Sequence, residues 1–352
     1  MKTTRLIALA ALLCAAAPAA AQVQLNGAGA TFPNIIYQKW MLTFNQAHPT
    51  IQLNYQSIGS GGGIRQFSDG TVDFGGTDAP MTDSAIAAIQ GNVLHIPTVL
   101  GAIVATYNLP GVTAQLKFTP DILADIFLGK ITKWNDARIA SVNAGVTLPA
   151  TDVVVVHRAD GSGTSYGWTD YLTKVSPEWA SRVGKGTSVN WPVGLGGRGN
   201  EGVAATVNQT PGAIGYVELG YATINNMAFG QVRNSSGAFV APTLEAVTAA
   251  AAGVLSKLGP STDFRVSLTN PDGAAAYPIA TMTWLLLHKD YADAAKAKAL
   301  VQFVWWAETE GQPMAPALGY APLPQQLRAW IQARLKTIKA GGQPVWTGSA
   351  AQ

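Results

Sequence analysis

The chain has 352 residues, of which 48% are apolar and only 12% are charged. Its formal net charge of +3 includes Lys2 and Arg5, which lie in an N-terminal segment typical of a signal peptide. Without that segment the charge is nearly balanced, which excludes a broad basic surface for nucleic acid or for membrane lipid. The remaining length exceeds what one hydrophobic core usually supports, so two lobes are expected.

The first 21 residues predict export. A basic start is followed by an uncharged run from Leu6 to Ala17, and small residues precede Gln22. The run is shorter than the roughly 20 residues that span a bilayer, so we expect cleavage after Ala21 and no stable membrane insertion. A lipid anchor on Cys14 is an alternative, although Leu13 stands where a small residue is expected. Because Cys14 is the only cysteine, the mature chain would have no thiol nucleophile or disulfide.

Apolar runs of strand length alternate with helical patterns along the rest of the chain, which predicts an α/β protein with helices covering sheets. The predicted strands are residues 52–57, 153–157 and 279–287. The predicted helices are residues 33–47, 119–128, 165–172, 244–255, 292–308 and 325–339. The glycine-rich residues 194–202 are predicted to form a loop.

Three segments place small and hydroxyl residues directly before a helical pattern: residues 27–33, 57–63 and 158–165. A helix N-terminus offers unpaired N–H groups and a positive partial charge, and glycines let an anion approach the backbone. Each segment alone is typical of an ordinary helix cap or turn. Three such segments in a chain with few charges favour convergence on one anion.

Two ionisable residues sharpen this hypothesis. Arg158, at the end of a predicted strand, offers a guanidinium fork that suits phosphate, and Asp160 could hold that fork; a surface turn with a local ion pair is the simpler interpretation. Asp78 could accept a hydrogen bond from an anion that carries a proton, as phosphate does and sulfate does not. Asp78 could instead cap the helix of residues 83–89 or lie in a turn before Pro80.

Seven motifs together resemble one known family, the phosphate-binding proteins of phosphate-specific ABC transporters. They are residues 27–33, 54–60, 72–80, 158–165, 194–200, 211–218 and 277–279. They occur in the family's order across nearly the whole mature chain. The resemblance implies a two-lobed periplasmic binding protein (Venus-flytrap) fold of type II, with the ligand in the interlobe cleft. Lobe I would comprise residues 22–104 and 278–352, and lobe II residues 105–277.

The resemblance also implies a ligand set and a function. The groups matching the family's phosphate site are Thr31, Phe32, Ser60, Asp78, Arg158, Ser162, Gly163 and Thr164, with Asp160 supporting the arginine. The protein would capture inorganic phosphate with high affinity in the periplasm by closing its lobes over the desolvated ligand. It would then deliver phosphate to the permease subunits of an ABC importer. We expect a monomer that is not an enzyme and has no cofactor or metal. Gly61 and His157 depart from the family pattern, where serine and a second arginine are common.

Other functions are less favoured by the residues. A phosphate-releasing hydrolase using Ser162 or Asp78 stays open, although no base or metal pair is evident. A receptor for sulfate or molybdate is disfavoured by Asp78, because those anions carry no proton to donate. Residues 194–199 match a dinucleotide-binding pattern, but Pro211 interrupts the crossover unit that such a site needs. The four histidines show no metal-ligand spacing.

Overall fold

The computed structural model describes residues 22–348, so the predicted signal peptide, with Cys14, lies outside the described residues. The strands are β1 (Val23–Gly29), β2 (Ile51–Ser57), β3 (Phe74–Thr77), β4 (Leu94–Tyr107), β5 (Lys117–Phe118), β6 (Val154–Arg158), β7 (Leu195–Gly197), β8 (Ala213–Glu218), β9 (Ala228–Phe229), β10 (Gln231–Arg233), β11 (Phe239–Val240), β12 (Ala280–Leu287), β13 (Asp290–Tyr291), β14 (Lys339–Ala340) and β15 (Gln343–Pro344).

Helices cover these strands, as the alternating pattern predicts. They are α1 (Asn34–Ala47), α2 (Ser60–Ser68), α3 (Asp83–Ala88), α4 (Pro120–Phe127), α5 (Ala137–Val142), α6 (Gly163–Val175), α7 (Pro177–Arg182), α8 (Gly199–Gln209), α9 (Leu219–Ile224), α10 (Leu244–Leu255), α11 (Ala294–Trp306) and α12 (Gln325–Leu335). A π-helical turn, Ala307–Gly311, extends α11. Among residues 22–348, no helix has the length and apolar character needed to cross a bilayer.

Strand β4 joins the two halves of the central nine-stranded sheet, whose main path is β2-β1-β3-β12-β4-β8-β6-β7. Residues 94–102 of β4 pair with β12, and residues 103–107 pair with β8. All fourteen residues of β4 are buried. A strand with helices on both of its faces must be apolar on both, which explains its nearly continuous apolar sequence.

The sheet directs strand ends toward one place. In the first half, β1 is parallel to β2 and β3, and Gly29 of β1 pairs with Gly76 of β3. In the second half, β6 is parallel to β7 and β8. Carboxyl ends of neighbouring parallel strands meet at one sheet edge, where α/β proteins commonly bind ligands. The loops after β1, β3 and β6 carry half of the predicted ligand set, and the other half lies at the end of β6 and at the starts of α2 and α6.

One continuous apolar core follows the sheet, and its largest members are fully buried aromatic side chains. They include Trp40, Trp134, Trp168, Trp179 and Trp284. A smaller cluster of Phe67, Met81, Val93 and Leu286 lies apart from that core. Both halves of the sheet that β4 joins contribute residues to the main core.

Each predicted strand and helix is present with bounds that match or differ by a few residues, but the predicted loop at residues 194–202 is wrong. That stretch contains strand β7 and the first turn of helix α8. A Cβ on Gly197 would lie 2.7 Å from the backbone nitrogen of Val203. The glycine thus permits a close strand–helix approach rather than a loop. The last helix also ends earlier than predicted, at Leu335, and β14 and β15 follow it.

Candidate anion-binding site

The first half of the sheet contributes four buried residues of the predicted set. Thr31 and Phe32 follow β1, Ser60 begins α2, and Asp78 follows β3. None of the four is more than 2% exposed. Helix α2 has no side-chain cap at its N-terminus, and the backbone N–H groups of a first helical turn have no partner within the helix.

The second half contributes the other four residues from a single strand–helix connection. Arg158 ends β6, Ser162 is the N-cap of α6, and Gly163 and Thr164 begin that helix. Ser162 Oγ accepts a hydrogen bond of 3.0 Å from the backbone N–H of Ser165. All four are buried, although Arg158 carries a full charge. Burying a guanidinium is costly unless anionic partners surround it.

The two halves touch directly at this site. A Cβ on Gly163 would lie 2.4 Å from Ser60 Oγ and 2.5 Å from Asp78 Oδ2. The backbone N–H of Gly61 donates to the carbonyl of Gly161 at 2.9 Å. Gly59, with φ of +88°, leaves room for Asp160 Oδ2, which would lie 2.3 Å from an added Cβ. Glycines on both sides therefore allow the halves to close completely on each other.

Arg158 uses only part of its fork within the protein. Its Nε and Nη2 donate to Asp160 Oδ1 and Oδ2 at 2.7 and 2.5 Å. Asp160 Oδ1 also accepts from the backbone N–H of Gly199 at 3.0 Å. Nη1 of Arg158 is buried without a hydrogen-bond partner among residues 22–348. A buried, unsatisfied cationic donor of this kind indicates a site for an anion.

Asp78 is a carboxylate on the opposite side of the site from the Arg158–Asp160 pair. Thr283 Oγ1, from β12, donates to Asp78 Oδ1 at 2.8 Å, and Ser60 Oγ accepts from the backbone N–H of Asp78 at 3.1 Å. Burial raises the pKa of Asp78 to about 7, while hydrogen bonds from Thr283 and Ser60 and the charge of Arg158 oppose the rise. The carboxyl can therefore exchange a proton near neutral pH.

Of the two alternatives for Asp78, the helix cap is wrong, whereas the bend before Pro80 is present and places Asp78 in the site. Thr82 is the N-cap of α3, and its hydroxyl accepts from the backbone N–H of Ala85. Asp160 likewise does not form a surface ion pair, because its partner Arg158 has a side chain only 1% exposed. Both acidic residues lie where the two halves of the sheet meet.

Asn200, near the start of α8, was not among the predicted site residues. Its Nδ2 donates to Thr31 Oγ1 at 2.7 Å and to Thr164 Oγ1 at 3.2 Å, which links the two halves. Its Oδ1 accepts from the backbone N–H of Glu218 at 3.1 Å. The motif of residues 194–200 contained this asparagine, but the loop prediction concealed its place on a helix.

His157 lies beside the site. Its ring stacks on Trp191 with centroids 4.8 Å apart, and its Nδ1 lies 3.1 Å from the carbonyl of Arg158. Burial lowers the pKa of His157, so a neutral ring is favoured in this stack. Among residues 22–348, no group of three or more His, Cys, Asp or Glu side chains could hold a metal ion.

Comparisons with known proteins place the chain in a family. A model of the PBP superfamily domain matches residues 15–308. Phosphate-binding protein PstS of Pasteurella multocida (strain Pm70) is 44% identical over 347 residues, which cover 98% of this chain and 99% of that protein. PstS of Xylella fastidiosa (strain 9a5c) is 45% identical over 312 residues, 88% of this chain and 84% of that protein.

A solved structure supports the fold. The phosphate-binding protein of Stenotrophomonas maltophilia has a TM-score of 0.68 at 19% identity, covering 89% of this chain and 94% of that one. The expected two-lobed α/β fold of a periplasmic binding protein is thereby confirmed. From the match to the superfamily model and the high identity over nearly the full length, the chain belongs to the phosphate-binding proteins of the PBP superfamily.

Proposed function

We propose that this protein captures inorganic phosphate in the periplasm and delivers it to an ABC importer. The observation that carries the proposal is the joint burial of Arg158, with its unpartnered Nη1, and Asp78 at one contact between the lobes. A cation with a free donor attracts an oxyanion, and a carboxylate beside it accepts a hydrogen bond from an anion that is itself protonated. Phosphate combines both properties at neutral pH.

The proposed ligand set follows from the groups that converge on this contact. It comprises Thr31, Phe32, Ser60 and Asp78 from the first half and Arg158, Ser162, Gly163 and Thr164 from the second. Asp160 holds two of the three guanidinium nitrogens of Arg158, so that Nη1 is left for the anion. The N-termini of α2 and α6 add backbone donors.

We assign residues 22–104 and 278–352 to lobe I and residues 105–277 to lobe II. The support is the change of partner along β4, which pairs with β12 up to residue 102 and with β8 from residue 103. The chain crosses between lobes there and again just before β12. Two crossings of this kind form a hinge that permits rigid closure. A ligand that bridges both lobes favours the closed state, because only that state makes all of its contacts.

We infer a receptor and not a phosphatase. Ser162 is the candidate serine nucleophile at this site, and its hydroxyl oxygen serves as the N-cap of α6. A serine nucleophile needs a base within hydrogen-bonding distance, and Ser162 Oγ instead accepts the N–H of Ser165. No cofactor is proposed, and the ligand is phosphate itself. A chromogenic phosphomonoester tests this inference, since sustained turnover by the purified protein would contradict it.

Export and partners complete the proposal. Residues 1–21 would direct the chain to the periplasm and be cleaved after Ala21. The mature protein would act as a diffusing monomer whose closed lobes are recognised by the permease subunits. Mass spectrometry of the periplasmic protein tests the cleavage, and an unprocessed N-terminus would contradict it.

Calorimetric titration of the phosphate-stripped mature protein tests the central function. We expect tight one-to-one binding of phosphate and no measurable heat with sulfate at the same concentrations. Absence of phosphate binding would overturn the proposal. Equal binding of both anions would retain an oxyanion receptor and remove the selectivity assigned to Asp78.

A further inference from the structure

Thr283 lies at an irregularity in the pairing of the two central strands. Thr283 of β12 pairs with Val99, but the next residue, Trp284, pairs with Pro97, so that Thr98 is an extra residue in β4. Pro97 has no N–H to donate to the ladder. The hydroxyl of Thr98 instead donates to the carbonyl of Thr283 at 3.4 Å. Bulges of this type re-aim side chains beside functional sites.

The bulge is itself anchored from two sides. Gln312 Nε2 donates to the carbonyl of Thr98 at 2.7 Å, and the hydroxyl of Tyr37 lies 2.8 Å from Thr98 Oγ1. Thr98 and Thr283 are fully buried. These contacts hold Thr98, and its hydroxyl in turn holds the backbone carbonyl of Thr283, the residue whose hydroxyl meets Asp78.

The direction of the Thr283 hydroxyl distinguishes the two oxygens of Asp78. Thr283 Oγ1 lies 2.8 Å from Asp78 Oδ1 and 3.2 Å from the carbonyl of Thr77. A threonine hydroxyl has one proton, and the shorter contact to a carboxylate is the stronger one. Asp78 Oδ2 lies on the other side, only 2.5 Å from the position of a Cβ added to Gly163. Oδ2 therefore faces the opposite lobe.

We propose that Thr283 is a positioning residue for anion selectivity: its hydroxyl occupies Asp78 Oδ1 and stabilises the ionised form of the carboxylate, so that Oδ2 accepts the proton of the ligand. The inference rests on the proposed phosphate-binding function. An ionised carboxylate repels sulfate, whereas a neutral carboxyl could donate its proton to a sulfate oxygen. The rejection of sulfate thus depends on the protonation state of Asp78, which Thr283 helps to set.

Few other charges act on Asp78. Arg158 from β6 favours the ionised carboxylate, and Ser60 from α2 adds a weak contact of 3.4 Å from its hydroxyl to Oδ2. Among residues 22–348, Tyr37, Tyr55, Glu218 and Tyr320 also interact with Asp78, and burial raises the pKa of each, which disfavours its anionic form. Removing the Thr283 hydroxyl therefore shifts the balance toward the neutral carboxyl.

The test compares Thr283→Val with Thr283→Ser. The first removes the hydroxyl and keeps the branched shape, and the second keeps the hydroxyl. Thr281→Val is the matched control, because Thr281 lies on the same strand and its hydroxyl reaches the carbonyl of Met282 at 3.3 Å. Phosphate affinity and competition by sulfate are measured from pH 5 to pH 9 for each variant.

We expect the ratio of phosphate to sulfate affinity to fall about tenfold or more in Thr283→Val, a loss typical of a hydrogen bond to a charged group. Sulfate binding should also persist to higher pH than in the wild type. Thr283→Ser and Thr281→Val should keep the wild-type ratio. A folded Thr283→Val protein with unchanged selectivity and pH profile would overturn the proposal.

Two further results keep the test decisive. If Thr283→Val does not fold, Thr283→Ala removes the same hydroxyl without placing a methyl group against the carboxylate, and the same loss of selectivity is expected. An unchanged ratio in Thr283→Ala would overturn the proposal equally. Failure of the wild type to bind phosphate would instead refute the proposed function, so the two failures are distinguishable.

Discussion

Replacement of Gly163 by alanine should weaken closure of the two lobes over phosphate without impairing folding. The added Cβ would lie 2.4 Å from Ser60 Oγ, 2.5 Å from Asp78 Oδ2 and 2.6 Å from Asp78 Cβ. An ordinary contact needs at least 3.4 Å, so the opposing lobe must retreat by about 1 Å. Ser60 is held at the start of helix α2, and Asp78 is held by the hydrogen bond from Thr283. Neither of these two side chains can therefore move away easily.

The cost of such overpacking is about 1–3 kcal/mol, which corresponds to a loss of phosphate affinity of roughly 5- to 150-fold. The folding stability of each lobe should not decrease, because alanine is better tolerated than glycine in a helix. Calorimetry gives the affinity, and small-angle scattering before and after phosphate addition reports closure. Gly253→Ala is the control: it also lies in a helix, and its added Cβ would meet only Asp272 O, at 3.5 Å. Wild-type affinity and closure in Gly163→Ala would refute the reasoning.

Three further substitutions test the remaining groups of the site. Arg158→Ala should weaken phosphate and every other oxyanion by 100-fold or more, on the order of a lost charged contact plus an unpaired Asp160, and unchanged phosphate affinity in calorimetry would count against the assignment. Asn200→Ala should lower phosphate affinity about tenfold, because Thr31 and Thr164 lose their shared donor, and an effect on thermal stability alone would show a purely structural role. Asp78→Asn should weaken discrimination against sulfate more than phosphate binding, and a variant with unchanged selectivity would remove the acceptor role of Asp78. The pKa of about 7 lies above the ordinary value of 3.8, so ionised Asp78 destabilises the closed protein without anion progressively as pH rises from about 4 to 7. Scattering should therefore show Asp78→Asn closing more readily than wild type without phosphate, and more so at pH 8 than at pH 5; equal closure at both pH values would contradict that sign.

Local signals predicted much of the fold. Helix α10 has the predicted bounds because alanine-rich sequence favours a helix and Thr243 caps its first turn. Strand β12 starts one residue later than predicted and ends as predicted at Leu287, where the apolar run stops. The prediction failed at residues 194–202, where glycine indicated a loop. Glycine there serves the close approach of β7 to α8, a requirement set by packing rather than by local conformation.

The kinds of residue in the candidate site could also be predicted from the sequence, but the hydrogen bonds between them could not. Small residues before α1, α2 and α6 indicated donors for an anion, and the family motifs identified which of them belong together. Thr283 carried no local signal, and Asn200 was marked only by its place in a family motif. Asn200 reaches Thr31 across 169 positions, and Thr283 reaches Asp78 across 205.

The sequence by itself therefore determined the elements, the two-lobed class and the chemical character of the site, because caps, glycines and apolar periodicity act over a few residues. Only the tertiary structure decided which atoms meet. The order of the strands, the bulge at Thr98 and the closure at Gly163 together leave Arg158 Nη1 unpartnered and turn Asp78 Oδ2 toward the other lobe. Such contacts depend on the register of distant strands, which local pattern cannot specify.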